Sequence, residues 1–167
     1  MAAYYISMAF PFTMSVAGIL DVLSLTIPNR ISLALLIGFF VAAFLGDFSA
    51  LLFLSHCSAG LAILVVGFAM FACGWLGGGD AKLMAVAALW LGFNHLLPFL
   101  FWTAALGGLL ALVLLTYRRF LPPIWLLGQT WALRLHDPKE GIPYGVAIGG
   151  AGLIVYPQTI WMTGIAG

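Results

Sequence analysis

The sequence predicts an all-α fold, in which residues 1–167 form a single domain: a polytopic membrane bundle of about six transmembrane helices. Only 7% of the 167 residues are charged, whereas soluble domains contain about 25%. Hydrophobic residues make up 64% of the chain, which is more apolar surface than one small soluble core could cover. Since a transmembrane helix needs roughly 20 apolar residues, the length allows about six helices and no sizeable extramembrane domain.

Six apolar runs, separated by polar residues, prolines or glycines, are predicted as the transmembrane helices. They lie near residues 5–25, 31–46, 57–76, 80–93, 96–117 and 142–163. Residues 47–56 are compatible with a plain loop or with a re-entrant or interfacial segment. The longest stretch outside these runs, residues 118–141, contains Trp125 and Trp131 and is expected to lie at the membrane interface.

The basic residues indicate how the bundle is oriented. With six spans, the loops after the first, third and fifth share one side, and all six cations lie there: Arg30, Lys82, Arg118, Arg119, Arg134 and Lys139. The positive-inside rule places this side in the cytoplasm and both termini outside. Six cations and a net charge of +1 provide no clustered basic face, so no nucleic-acid partner is predicted.

Two aspartates fall within the predicted spans, both near the cytoplasmic side. Asp21 is close to the end of the first span, and Asp80 is at the head of the fourth. Ionisable residues at membrane depth are costly and are therefore functional candidates. If the two carboxyl groups converge, repulsion and desolvation favour one shared proton, which leaves an acid and a base in one site. Such a pair can activate water against a peptide bond without a covalent intermediate. The sequence does not indicate which aspartate is the base.

Each of these residues is also compatible with a purely structural role. Asp80 follows Gly77-Gly78-Gly79 and could cap a helix, and Asp21 could pair with Arg30 or with a neighbouring backbone. Lys82 would face away from Asp80 on a helix and is predicted to be an interface anchor. The competing function is a non-enzymatic transporter or assembly subunit whose two aspartates bind a cation or a proton.

The glycines and the Ile27-Pro28-Asn29 segment are predicted to shape the site. Three consecutive glycines suggest a break in the helix beside a wet cavity, with Gly79 permitting either the close approach of a substrate strand or a positive φ. Pro28 would end one helix, and Asn29 would cap the next. His136, Asp137 and Glu140 are expected to form a solvated polar face of the cytoplasmic loop.

No metal site or cofactor is predicted. The chain has no HExxH, CxxC or GxSxG pattern and no cluster of histidines and cysteines. Cys57 and Cys73 lie on one predicted span, roughly 24 Å apart at about 1.5 Å of rise per residue. A disulfide between them is therefore excluded, and both are expected to be small buried side chains.

Three motifs in order resemble the prepilin peptidases, the type IV leader peptidase family of GxGD aspartic proteases. They are Asp21 with the following Ile27-Pro28-Asn29, the segment Gly77-Gly78-Gly79-Asp80-Ala81-Lys82-Leu83, and Ile142-Pro143-Tyr144-Gly145. The resemblance runs from Asp21 to the last predicted span. The chain is most similar to the short forms that serve tight-adherence (Flp) pilus systems.

The resemblance implies a multi-pass endopeptidase of the bacterial inner membrane, with both termini periplasmic. Such an enzyme removes the short basic leader of prepilins and pseudopilins, after a glycine at the cytoplasmic edge of the substrate's apolar helix. Its partners are those substrates and membrane lipid. Asp21 and Asp80 map onto the catalytic pair, and the motif residues Gly77, Gly79, Lys82, Pro28, Asn29, Pro143, Tyr144 and Gly145 are expected to support them. Larger relatives in this family also methylate the new N-terminus, and they carry an extra cytoplasmic portion ahead of the first catalytic aspartate. Only 20 residues precede Asp21 here, so no methyltransferase activity is expected.

Overall fold

The computed structural model of the protein describes residues 6–121, 126 and 128–163, and this part of the chain is helical without a strand. Short 3-10 turns cover Phe93–His95 and Tyr156–Gln158. The described α-helices are α1 (Ala9–Ser24), α2 (Asn29–Leu45), α3 (Ala50–Ala72), α4 (Gly78–Leu91), α5 (Leu96–Tyr117), α6 (Thr130–His136), α7 (Tyr144–Val155) and α8 (Ile160–Thr163).

The helix ends have local causes. The side chain of Ser49 caps α3, since its hydroxyl accepts a hydrogen bond from the Leu52 amide at 3.3 Å. Gly92 ends α4 with a φ of 70°, a conformation that side chains with a Cβ rarely adopt. Pro157 follows α7 in a 3-10 turn, because proline supplies no amide hydrogen to continue an α-helix.

Residues 47–56 do not form a re-entrant segment. After α2 ends at Gly46, a short turn through Asp47 leads directly to Ser49 and α3. Residues 50–56 are the first turns of that helix, so the third predicted span begins earlier than residue 57. The hypothesis of a re-entrant segment is therefore wrong, and the error came from treating the polar Gly46–Ser49 turn as longer than it is.

Helix α4 lies in the centre of the bundle, against α2, α3 and α7, while α7 also packs on α1 and α5. Glycines allow the closest of these contacts. A Cβ on Gly60 of α3 would lie 2.9 Å from the Leu89 Cβ of α4, and a Cβ on Gly149 of α7 would lie 2.8 Å from the Met14 carbonyl of α1. Close packing through small residues is typical of helices in membranes.

Aromatic side chains fill one end of the bundle. Phe39 contacts the rings of His56, Trp90 and Trp161, with centroids about 6 Å apart. The polar atoms of this cluster have partners: the Trp90 indole donates to the Leu35 carbonyl, and the Trp161 indole donates to the Trp90 carbonyl. His56 is bound to the Leu89 carbonyl at 2.9 Å. This end is a satisfied structural core.

Two of the described helical segments, Ala50–Ala72 and Phe93–Tyr117, are long and apolar enough to cross a membrane, and α1 and α2 are apolar but shorter. Large hydrophobic side chains cover the outside of these helices, such as Leu51 on α3 and Leu97 on α5. The chain termini and Trp125, on which parts of the predicted topology depend, lie outside the described residues. Six spans and external termini therefore stay predictions.

Candidate active site

A cavity of about 610 Å³ lies at the end of the bundle where α1 and α3 end and where α2, α4 and α7 begin. Asp21 and Asp80, from α1 and α4, both line it. The two carboxyl groups are close enough for their charges to interact. The structure thus brings together the two aspartates that the sequence singled out. The remaining walls are backbone and side chains of 25–27, 74–79, 140–142 and Tyr144.

Asp21 is fixed by the start of α7. It is only 4% exposed, and its Oδ2 accepts a hydrogen bond from the Gly145 amide at 2.6 Å. Amides in the first turn of a helix have no partner within the helix, so this contact both satisfies a donor and positions the carboxylate. Of the two structural alternatives for Asp21, a backbone partner is confirmed and pairing with Arg30 is wrong, since the Arg30 side chain makes no hydrogen bond or ion pair with a described residue.

Asp80 is fixed by the start of its own helix. Gly77 is the N-cap of α4, and Asp80 follows three residues later in the first turn, with its carboxylate beside the Gly77 backbone. The alternative in which Asp80 is the cap of this helix is therefore wrong, since Gly77 holds the cap position. Asp80 lines the cavity from the first turn of α4.

Both carboxylates lie directly against a glycine. A Cβ on Gly77 would be 2.7 Å from the Asp80 Oδ2, and a Cβ on Gly145 would be 2.8 Å from the Asp21 Oδ2. Neither glycine has a positive φ. Glycine suits these two positions because a Cβ would collide with the carboxylate, and not because the backbone angles are unusual.

The break in the helix lies earlier in the chain than the three glycines predicted. Gly78 and Gly79 belong to α4, and the non-helical backbone is the segment from Gly74 to Gly77. The prediction of a positive φ at Gly79 is wrong. The close approach of a substrate strand to Gly79 stays a prediction. Within the chain, a Cβ on Gly79 would lie 3.3 Å from the Cβ of Ile27.

The Pro28-Asn29 motif contacts α4. Pro28, not Asn29, is the N-cap of α2, and no side chain caps this helix. The Asn29 amide oxygen instead accepts a hydrogen bond from Lys82 Nζ at 3.0 Å. Lys82 does not line the aspartate cavity. The bond joins the first turns of α2 and α4 and so supports the position of Asp80 two residues before Lys82.

The loop between α6 and α7 forms the outer wall of the cavity. The Arg118 guanidinium at the end of α5 donates to the carbonyls of Glu140 and Gly141, at 3.0 and 3.1 Å, and to that of Leu135 at 2.9 Å. Glu140 is exposed, as the sequence predicted, and it also lines the cavity. Pro143 is the N-cap of α7 and Tyr144 is its first residue, which also lines the cavity.

The two cysteines are free, and burial was predicted for both. Cys57 is half-buried, whereas Cys73 is exposed at the C-terminal end of α3, so the prediction is wrong for Cys73. Both lie on or beside one continuous helix, as their spacing predicted.

The described part of the chain is an all-helical apolar bundle in which two carboxyl groups share one polar cavity, an arrangement that suits a hydrolase. Residues 8–112 match the model of the type IV leader peptidase family, and the chain belongs to this family. The match confirms the resemblance seen in the motifs and makes the chain a member of a protease family. It includes Asp21 and Asp80 and ends before the Ile142–Gly145 motif. The chain matches no curated protein and no solved structure.

Proposed function

We propose that the protein is an aspartic endopeptidase that removes the leader from Flp-type prepilins and pseudopilins at the cytoplasmic face of the inner membrane. The observation that carries the proposal is the shared cavity of Asp21 and Asp80, in which the Gly145 amide donates to Asp21 and the Asp80 carboxylate lies beside Gly77. Family membership supplies the class of reaction, and the cavity supplies the groups that would perform it.

The reaction needs one proton on the pair. The ionised aspartate removes a proton from water as the water oxygen bonds to the scissile carbonyl carbon, and the protonated aspartate gives its proton to the carbonyl oxygen. When the resulting diol collapses, the first aspartate protonates the leaving nitrogen and the diol returns a proton to the second. The C–N bond breaks, and the pair regains its starting state without a covalent intermediate. Either assignment of base and acid gives the same balance.

The charge of the cavity suits a basic leader. Asp21, Asp80 and Glu140 are acidic, and none of the described residues that line the cavity is lysine or arginine. A cleft lined by one sign of charge concentrates ligands of the opposite sign. The leader would therefore enter past Glu140, while the apolar helix of the prepilin stays in the membrane beside the bundle.

The test is cleavage by the purified protein. The protein is reconstituted into vesicles without an ion gradient and mixed with a Flp-type prepilin that carries its basic leader. The proposal predicts loss of the leader, seen as a gel shift and as a mass difference equal to the leader. An uncut prepilin under these conditions, together with activity that needs an ion gradient, would instead support the transporter or assembly subunit.

A further inference from the structure

A second cavity, of about 630 Å³, lies on the outside of the bundle between α2, α3 and α4. We call it the lateral groove. Its volume is within the range of roughly 300–1,000 Å³ that is usual for ligand sites. Its walls are almost wholly apolar and include Leu36 and Phe40 of α2, Leu61 and Leu64 of α3, and Val86 of α4. The aspartates are not among its lining residues.

Two cations lie at one end of the lateral groove. Arg30 and Lys82 are in the first turns of α2 and α4, and both are exposed. Arg30 has no partner among the described residues, and the hydrogen bond of Lys82 goes to the neutral Asn29. Two uncompensated cations beside two helix N-termini favour an anion, since the helix dipoles add to the positive potential.

The length of the lateral groove matches one leaflet of a bilayer. From Arg30 to Phe40, α2 rises about 15 Å at roughly 1.5 Å per residue. Half of a hydrocarbon core about 30 Å thick is the same distance. An apolar groove of this depth with cations at the level of the headgroups has the shape and polarity of a phospholipid.

We propose that the lateral groove binds one anionic phospholipid, with its phosphate at Arg30 and Lys82 and an acyl chain along Leu36, Phe40 and Leu64. The charge of the groove argues against the leader-bearing end of a prepilin, because its basic residues would be repelled by the same two cations. The proposal does not depend on peptidase activity, because it rests on a different cavity.

Lipid retention by the purified protein tests this inference. The full-length protein in detergent is mixed with equal amounts of phosphatidylglycerol and phosphatidylcholine, and the bound lipid is read by native mass spectrometry. Each cation near an anionic lipid contributes about 1 kcal/mol, so two favour the anionic lipid by about 30-fold. We expect one phosphatidylglycerol per protein, retained over phosphatidylcholine by a factor of this order.

Matched variants separate this site from general attraction to anionic lipid. Arg30→Gln with Lys82→Gln should abolish the preference, whereas Arg119→Gln with Lys139→Gln removes the same charge elsewhere and should keep it. Thermal unfolding of both variants checks that they are folded. Equal retention of the two lipids by the wild type, or equal loss in both double variants, would overturn the proposal. A dimer that dissociates in the Leu61→Arg variant would also overturn the proposal, because a second copy of the chain would then cover the lateral groove.

Discussion

Replacing Gly145 by alanine should disturb the position of Asp21 without straining the backbone angles of residue 145. The added Cβ would lie 2.8 Å from the Asp21 Oδ2, 2.9 Å from the Ile27 Cδ1 and 3.0 Å from the Asp21 Cβ. Gly145 does not have a positive φ, so alanine suits its backbone conformation. The substitution therefore acts through contacts with the aspartate and its neighbour, not through backbone strain.

The size of the effect follows from these distances. Ordinary contacts of a Cβ begin at 3.4 Å, so the Asp21 carboxylate has to move by about 0.6 Å or the start of α7 has to shift away from α1. A displacement of about 1 Å in a catalytic group can lower a rate by roughly 100-fold. We expect a loss of about 10- to 100-fold in kcat/KM, which corresponds to roughly 1.4–2.7 kcal/mol of transition-state stabilisation.

The assay is leader removal from a co-expressed Flp-type prepilin, scored by gel mobility at matched membrane levels of the peptidase. Gly108→Ala is the control, because a Cβ at that position meets no atom within 4 Å. This control should retain full activity. Full activity of Gly145→Ala as well, with unchanged thermal stability, would refute the argument that Asp21 needs this glycine.

Three further predictions concern neighbouring features. Gly79→Val should reduce cleavage strongly, because the valine side chain would press on Ile27. Gly78→Ala should be tolerated, since its Cβ meets the exposed ring of Phe71, and equal activity of the two variants would contradict the prediction. Glu140→Gln should raise KM for a basic leader with little change in kcat, whereas Asp137→Asn outside the cavity should not. In a variant that retains only Cys73, a membrane-impermeant maleimide should label inverted vesicles and not intact cells; the reverse pattern would overturn the orientation.

The sequence predicted which carboxyl groups share the cavity better than it predicted the contacts around them. Asp21 and Asp80 were predictable because a carboxyl group at membrane depth is conspicuous in so apolar a chain, and because the glycine motif beside Asp80 resembles a known one. Gly145 was recognisable only as part of the third motif. That its amide binds Asp21 depends on the packing of α7 on α1, 124 positions apart in the chain, which no local pattern reports.

Local rules failed where tertiary contacts took over. Asn29 has the residue type of a helix cap, yet the packing of α2 on α4 directs its side chain to Lys82. Glu140 is exposed, as its polar surroundings predicted, but its place beside the cavity depends on Arg118, which binds the loop backbone there. In residues 47–56 a local rule is sufficient, because the hydroxyl of Ser49 alone signals the start of α3.

The most direct test of the central claim is the combined loss of the two aspartates. Asp21→Ala and Asp80→Ala should each abolish removal of the prepilin leader while the protein still inserts at normal levels. The double variant should be no worse than either single one, because residues that act as a unit are not additive. Cleavage near the wild-type rate by either single variant would contradict the proposal that Asp21 and Asp80 form one catalytic pair.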